Sequence, residues 1–212
     1  IVGQVQHSIR SSHRAFTLAQ ESKNVWVHIY STFCLTYGLL EAGAYEEALV
    51  LTQPAIARAQ TLPPILSVER LLAALGGTYH ALQQWEKAQA SLEEADAVAE
   101  TLDLARLRVP TLSQLCMHYA VAGEWQAAYH YAVQAIAVRT SVDATLISFD
   151  FSSQYETEAL LRAGDERLAR AEVHRLGERL GSNQRFRLPY LRSLAMLAAW
   201  DGQSEQASGH LH

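Results

Sequence analysis

The chain has 212 residues, 49% hydrophobic and 18% charged, with a formal net charge of −5, a balance that excludes global disorder and a dedicated grip on a phosphate backbone. Two cysteines and five prolines exclude a disulfide scaffold and a proline-rich linker. No apolar run reaches the roughly 18 residues of a membrane span, and Ile1 opens neither a signal peptide nor an initiator methionine, so the sequence predicts a cytoplasmic fragment of a longer protein.

One pattern recurs along the chain: a glycine, a bulky residue two positions on and a small residue three beyond that. Gly43, Tyr45 and Ala48 carry it first; Gln83, Trp85 and Ala88 follow with Gln in the glycine place; Gly123, Trp125 and Ala128 complete a series at a spacing of 40. Looser copies stand at Gly164, Glu166, Ala169 and at Gly202, Ser204, Ala207, with a remnant at Gly3, Val5, Ser8. In chain order the pattern predicts a truncated second helix over 1–20, with Ala15 in register with Ala55, Ala95 and Ala135. Helix hairpins then follow over 27–60, 69–100, 109–140, 150–180 and 188–212, the last cut short, all within a single domain 1–212. On both sides of each turn, apolar or small residues fall at helical spacing, as in Leu72, Leu75, Gly76, Tyr79 and then Trp85, Ala88, Leu92, Ala95. One such hairpin cannot bury its apolar face alone, so neighbours must stack into an all-α solenoid of antiparallel hairpins. Linkers are expected over 61–68, 101–109 and 141–149, with breaks at Pro63, Pro64 and Pro110. Pro54 is expected to kink or fray the helix that contains it. The shortened final hairpin is expected to expose Met196, Leu197 and Trp200.

These residues resemble the tetratricopeptide repeat (TPR) family. The second unit carries the L-G-x-x-Y core as Leu75, Gly76 and Tyr79 followed by Ala88; the third has Leu115, Cys116, Tyr119 and Ala128; the first has Leu35, Thr36, Leu39 and Ala48. The spacing of 40 exceeds the family's usual 34 and is similar to the longer repeats of bacterial multidomain regulators. The resemblance implies a right-handed superhelix whose first helices line a concave groove. Carried over residue by residue, that partner-binding groove holds Tyr30, Phe33, Tyr37, Arg70, His80, Met117, Glu158, Arg162, Arg192, Met196 and Trp200, a mixed apolar and aromatic surface suited to an amphipathic helix or apolar peptide.

Catalytic signatures are missing. No phosphate-binding G-x-x-x-x-G-K-[ST], G-x-S-x-G, H-E-x-x-H or C-x-x-C occurs, and nine scattered histidines make no metal-ligand pattern, so neither cofactor nor metal is expected. Cys34 and Cys116 read as packed thiols. Between Arg162 and Arg192 eight arginines face four carboxylates, either a solvated face of i,i+4 pairs or a docking patch for an acidic partner. The sequence therefore points to a non-enzymatic interaction scaffold within a larger bacterial regulator. Its partner is a protein or peptide, a neighbouring domain of the same chain, or a second copy end to end, with neither nucleic acid nor membrane. The alternative is a ligand- or peptide-sensing module of a signalling ATPase or transcriptional regulator.

Overall fold

The computed structural model describes residues 5–61, 66–142, 153–180 and 186–211. Among these residues the chain is all-α. Its helices are α1 (Val5–Ser22), α2 (Val25–Glu41), α3 (Tyr45–Ala59), α4 (Leu66–Ala81), α5 (Trp85–Thr101), α6 (Ala105–Val121), α7 (Trp125–Ser141), α8 (Gln154–Arg162), α9 (Glu166–Arg179), α10 (Arg187–Trp200) and α11 (Ser204–Gly209). They form two compact units, one within residues 4–111 and the other within 112–212.

Five three-residue turns within hairpins explain the recurring sequence pattern, and the turn between α5 and α6 shares their geometry, with Asp103 at φ 50°. In the first, the Gly43 N–H donates to Leu40 O (3.1 Å) and the Ala44 N–H to Leu39 O (2.9 Å), the paired bonds of a Schellman motif. The same pair recurs at Gln83 and Gln84, Gly123 and Glu124, Gly164 and Asp165, and Gly202 and Gln203. The first residue of each pair has positive φ, 78° at Gly43 and 80° at Gly123, so glycine suits it; Gln83 adopts 58° despite its side chain. The second residue also starts the next helix, since the Ala44 carbonyl accepts the Ala48 N–H at 3.0 Å. One residue thus ends one helix and begins the next, and the small residue falls one turn inside, where the two helices meet.

At that meeting point Ala48, Ala88, Ala128 and Ala169 are all fully buried. Gly76 plays the complementary part on α4: a Cβ there would come within 2.6 Å of Leu92 Cγ. Around these contacts lie apolar clusters, Leu35, Leu39 and Ala48 with Ile9 and Phe16 in one unit, and Ile136, Leu160, Val173 and Leu197 in the other. Small hydroxyls pair at two further helix contacts, with Thr36 Oγ1 and Thr52 Oγ1 2.7 Å apart and the Thr157 hydroxyl donating to Ser193 Oγ at 3.0 Å.

Three expectations need correction. Pro110 marks no break: α6 begins at Ala105 and runs through it, because a single preceding turn leaves Pro110 little established ladder to disrupt. Of the kink or fray expected at Pro54, the fray is absent. Helix α3 continues through it to Ala59, and the carbonyl that loses its partner belongs to Val50, a residue 74% exposed. Leu197 is buried rather than exposed, since it closes the cluster with Leu160 and Val173. Pro63 and Pro64 lie outside the described residues.

Candidate functional site

Four of the expected groove residues come together on α2 and α4. The Phe33 ring lies 5.8 Å from the Tyr30 ring and 4.9 Å from the Tyr37 ring, and the Arg70 guanidinium sits 5.5 Å from the Phe33 centroid. Their exposure differs. Phe33 and Tyr37 are buried and form a floor, while Tyr30 is 46% exposed and Arg70 half-buried at the rim. A partner would therefore meet Tyr30 and Arg70 first, and Phe33 and Tyr37 offer it no face. On the same unit His80 is half-buried, its ring edge-on to Trp85 at 5.0 Å.

In the unit within 112–212, Met117 is half-buried and Glu158 is paired with Arg162 at 2.8 Å. The Arg162 guanidinium also covers the Trp125 ring at 4.1 Å. Arg192 is exposed, Met196 is half-buried against the Leu160 cluster, and Trp200 is 51% exposed.

Sequence reasoning missed Trp26 and Val27, which are 43% and 48% exposed. Trp26 and Tyr30 stand four residues apart, hence on one face of α2, and with Val27 they form an outward apolar patch. The i,i+4 aromatic pair was the available signal. Asn24 holds the start of this helix by accepting hydrogen bonds from the Trp26 and Val27 N–H groups at 3.0 and 3.2 Å.

Three arginines of the arginine-rich stretch are ion-paired. Arg162 meets Glu158, Arg170 meets Glu166 and Asp201 at 2.7 and 2.6 Å, and Arg175 meets Glu172 at 2.7 Å. The Arg162–Glu158 and Arg170–Glu166 pairs are i,i+4 pairs of the solvated-face kind, and exposed pairs contribute about 0–1 kcal/mol each, whereas Glu172 is buried. Arg185 lies outside the described residues.

Charge inside the helices was not foreseen. Arg139 of α7 is buried and donates to Glu156 of α8 at 3.0 Å, to Glu172 of α9 at 3.0 Å and to Ser113 Oγ of α6 at 3.1 Å. The Ser113 hydroxyl in turn donates to Glu156 at 2.6 Å. The repeat itself held the signal. Counted from the turn, Glu156 fills the slot of Leu35, Leu75, Leu115 and Leu194, and Arg139 that of Ala59 and Ala99. Glu69, in the slot of Ile29 and Val109, is also buried and accepts one bond, from the Thr111 hydroxyl at 2.9 Å. Burial pushes its carboxyl from 4.5 up to about 8.

Burial likewise raises both thiols, Cys116 strongly, which leaves neither as a ready thiolate. Among the described residues no three His, Cys, Asp or Glu side chains cluster in a way that could hold a metal ion, and no helix is long and apolar enough to cross a membrane.

The succession of helix pairs is similar to that of solved structures. BtubC (BKLC) from P. vanneervenii covers 98% of this chain and 88% of its own at 16% identity, with a TM-score of 0.63. The fold is TPR-like. Two structures of putative kinesin light chain nearly identical TPR-like repeats from Podosopora anserina agree, at 21% and 23% identity and TM-scores of 0.63 and 0.61. Each covers 85% of this chain and 90% of its own. No family model and no curated protein matches the sequence. The TPR-like fold thus persists where sequence identity has dropped to a level that conveys architecture alone.

Proposed function

We propose that this TPR-like chain is a protein-interaction scaffold, an arm of a larger regulatory protein, and that it engages its partner through the outward face of α2. The observation that carries this reading is the patch of Trp26, Val27 and Tyr30. Large apolar side chains exposed together on one helix gain little by facing water, and such patches mark interaction sites more often than chance. Arg70 beside Phe33 adds a cation at the rim, and aromatic residues with arginine are the residue types that dominate binding energy at protein interfaces. The buried floor of Phe33 and Tyr37 holds this rim rigid, which lowers the ordering cost of association.

The test compares wild type with a Trp26→Ser/Tyr30→Ser variant in affinity capture from extract of the native host, with far-UV circular dichroism confirming an unchanged helix content. Both side chains are exposed, so the variant should fold. Partners lost by tenfold or more in the variant support the reading. Identical partners at identical yield would move the interaction off α2.

A further inference from the structure

Two adjoining clefts on α1, α2 and α3 have complementary chemistry. The first, about 450 Å3, is walled by Phe16, Leu51 and Pro54, with Val50 and Glu47 at its mouth. The second, about 430 Å3, is lined by Lys23 and Asn24. Both are bordered by Gln20, His28 and Arg58, so they meet along those three side chains. Each volume falls in the usual 300–1,000 Å3 range of small-molecule sites.

Lys23 lines the polar cleft alone, Arg58 borders both, and Glu47, the carboxylate of the pair of clefts, lines the apolar one alone. Lys23 and Arg58 are exposed and make no ion pair among the described residues. At the junction, His28 packs its ring against Phe16 at 5.1 Å, and its Nδ1 is shielded from solvent with no hydrogen-bond partner. Burial, reinforced by Arg58, lowers the His28 pKa, so at neutral pH the ring brings a hydrogen-bonding nitrogen instead of a positive charge. The cleft thus has a cationic end, a polar joint without a partner, and an apolar end whose mouth repels anions.

We propose that α1, α2 and α3 form a binding site for a medium-chain monocarboxylic acid, its carboxylate held by Lys23 and Arg58 and its hydrocarbon tail laid along Phe16, Leu51 and Pro54. Glu47 sets the direction, since a carboxylate placed at its end would meet like charge. His28 meets the ligand where head passes into tail. The site lies apart from the Trp26 and Tyr30 patch and does not depend on the scaffold reading.

Isothermal titration of the 212-residue chain at pH 7 with hexanoate, octanoate, 1-octanol and inorganic phosphate tests this. Octanoate should bind, about fourfold more tightly per methylene buried beyond hexanoate, while octanol and phosphate bind at least tenfold more weakly because each satisfies one end only. Arg58→Gln should weaken octanoate tenfold and leave octanol unchanged. Val50→Asp, a change at an exposed position, should abolish the gain from chain length. The proposal is overturned by no octanoate binding, by phosphate binding as well as octanoate, or by Arg58→Gln leaving octanoate affinity intact.

Discussion

Replacing Glu69 by Gln should change how stability responds to pH, and the structure gives the size of the effect. The carboxyl is 1% exposed, accepts one hydrogen bond from Thr111, and its Oε2 has no hydrogen-bond partner. Burial raises its pKa from 4.5 to about 8; Thr111 and Arg70 oppose that rise and Asp96 adds to it. Because the native pKa lies above the unfolded one, the folded chain keeps a proton between pH 4.5 and 8 that the unfolded chain has released. Stability is therefore full below pH 4.5 and falls as pH rises towards 8. At about 1.4 kcal/mol per unit the loss is about 3 kcal/mol by pH 7 and about 5 kcal/mol above pH 8. Glutamine keeps the shape and the acceptor for Thr111, and its NH2, with two N–H groups, stands where the acid has one unpaired O–H. The two proteins should thus be alike near pH 4.5. Urea denaturation followed by circular dichroism at pH 4.5, 7.0 and 8.5 should show the wild type losing ground steadily to Glu69→Gln. Two parallel pH profiles would refute the reasoning, since all other titrating groups are common to both proteins.

Two further changes probe the packing. Arg139→Met removes the buried guanidinium from Glu156 and should cost about 3–5 kcal/mol, whereas adding Glu156→Leu returns that slot to the leucine of its neighbours and should recover most of the loss; a double variant no more stable than the single, in thermal unfolding, would contradict this. Gly76→Ala drives a methyl into Leu92 and should cost about 1–3 kcal/mol in the same assay, with an unchanged melting temperature as the contrary result.

What could be read from the sequence follows from how each feature is encoded. Hairpin turns were legible because the Schellman bonds, the left-handed residue and the small residue one turn later are local and keep one spacing at 48, 88 and 128. The face of α2 was not. Ile29, Phe33, Leu35, Tyr37 and Leu39 are all buried, so that helix is apolar nearly all round, and periodicity cannot say which side meets α1 and which meets α4. Tyr30 and Arg70 consequently emerged as rim and Phe33 and Tyr37 as floor only when α4 was in place. Proline was read too strongly as a helix end at Pro54 and Pro110, where helix geometry tolerates a missing N–H. The buried charges escaped because Arg139 and Glu156 look like surface residues until each is compared with the alanine or leucine that occupies its slot elsewhere.

Arrays of this type lengthen by copying a hairpin and inserting it beside another, which works only while every hairpin presents the same faces. The contact between α7 and the α8–α9 hairpin breaks that interchangeability. Moved beside a hairpin with Ala59 or Ala99 in the matching slot, Glu156 would meet a methyl group in place of a guanidinium and carry a buried charge with no counterion. Conversely, a copy of α4–α5 placed after α7 would leave Arg139 facing Leu75. The cluster therefore acts as an address within the chain: it fixes the order of neighbours, and insertion or deletion of whole hairpins is tolerated elsewhere before it is tolerated there.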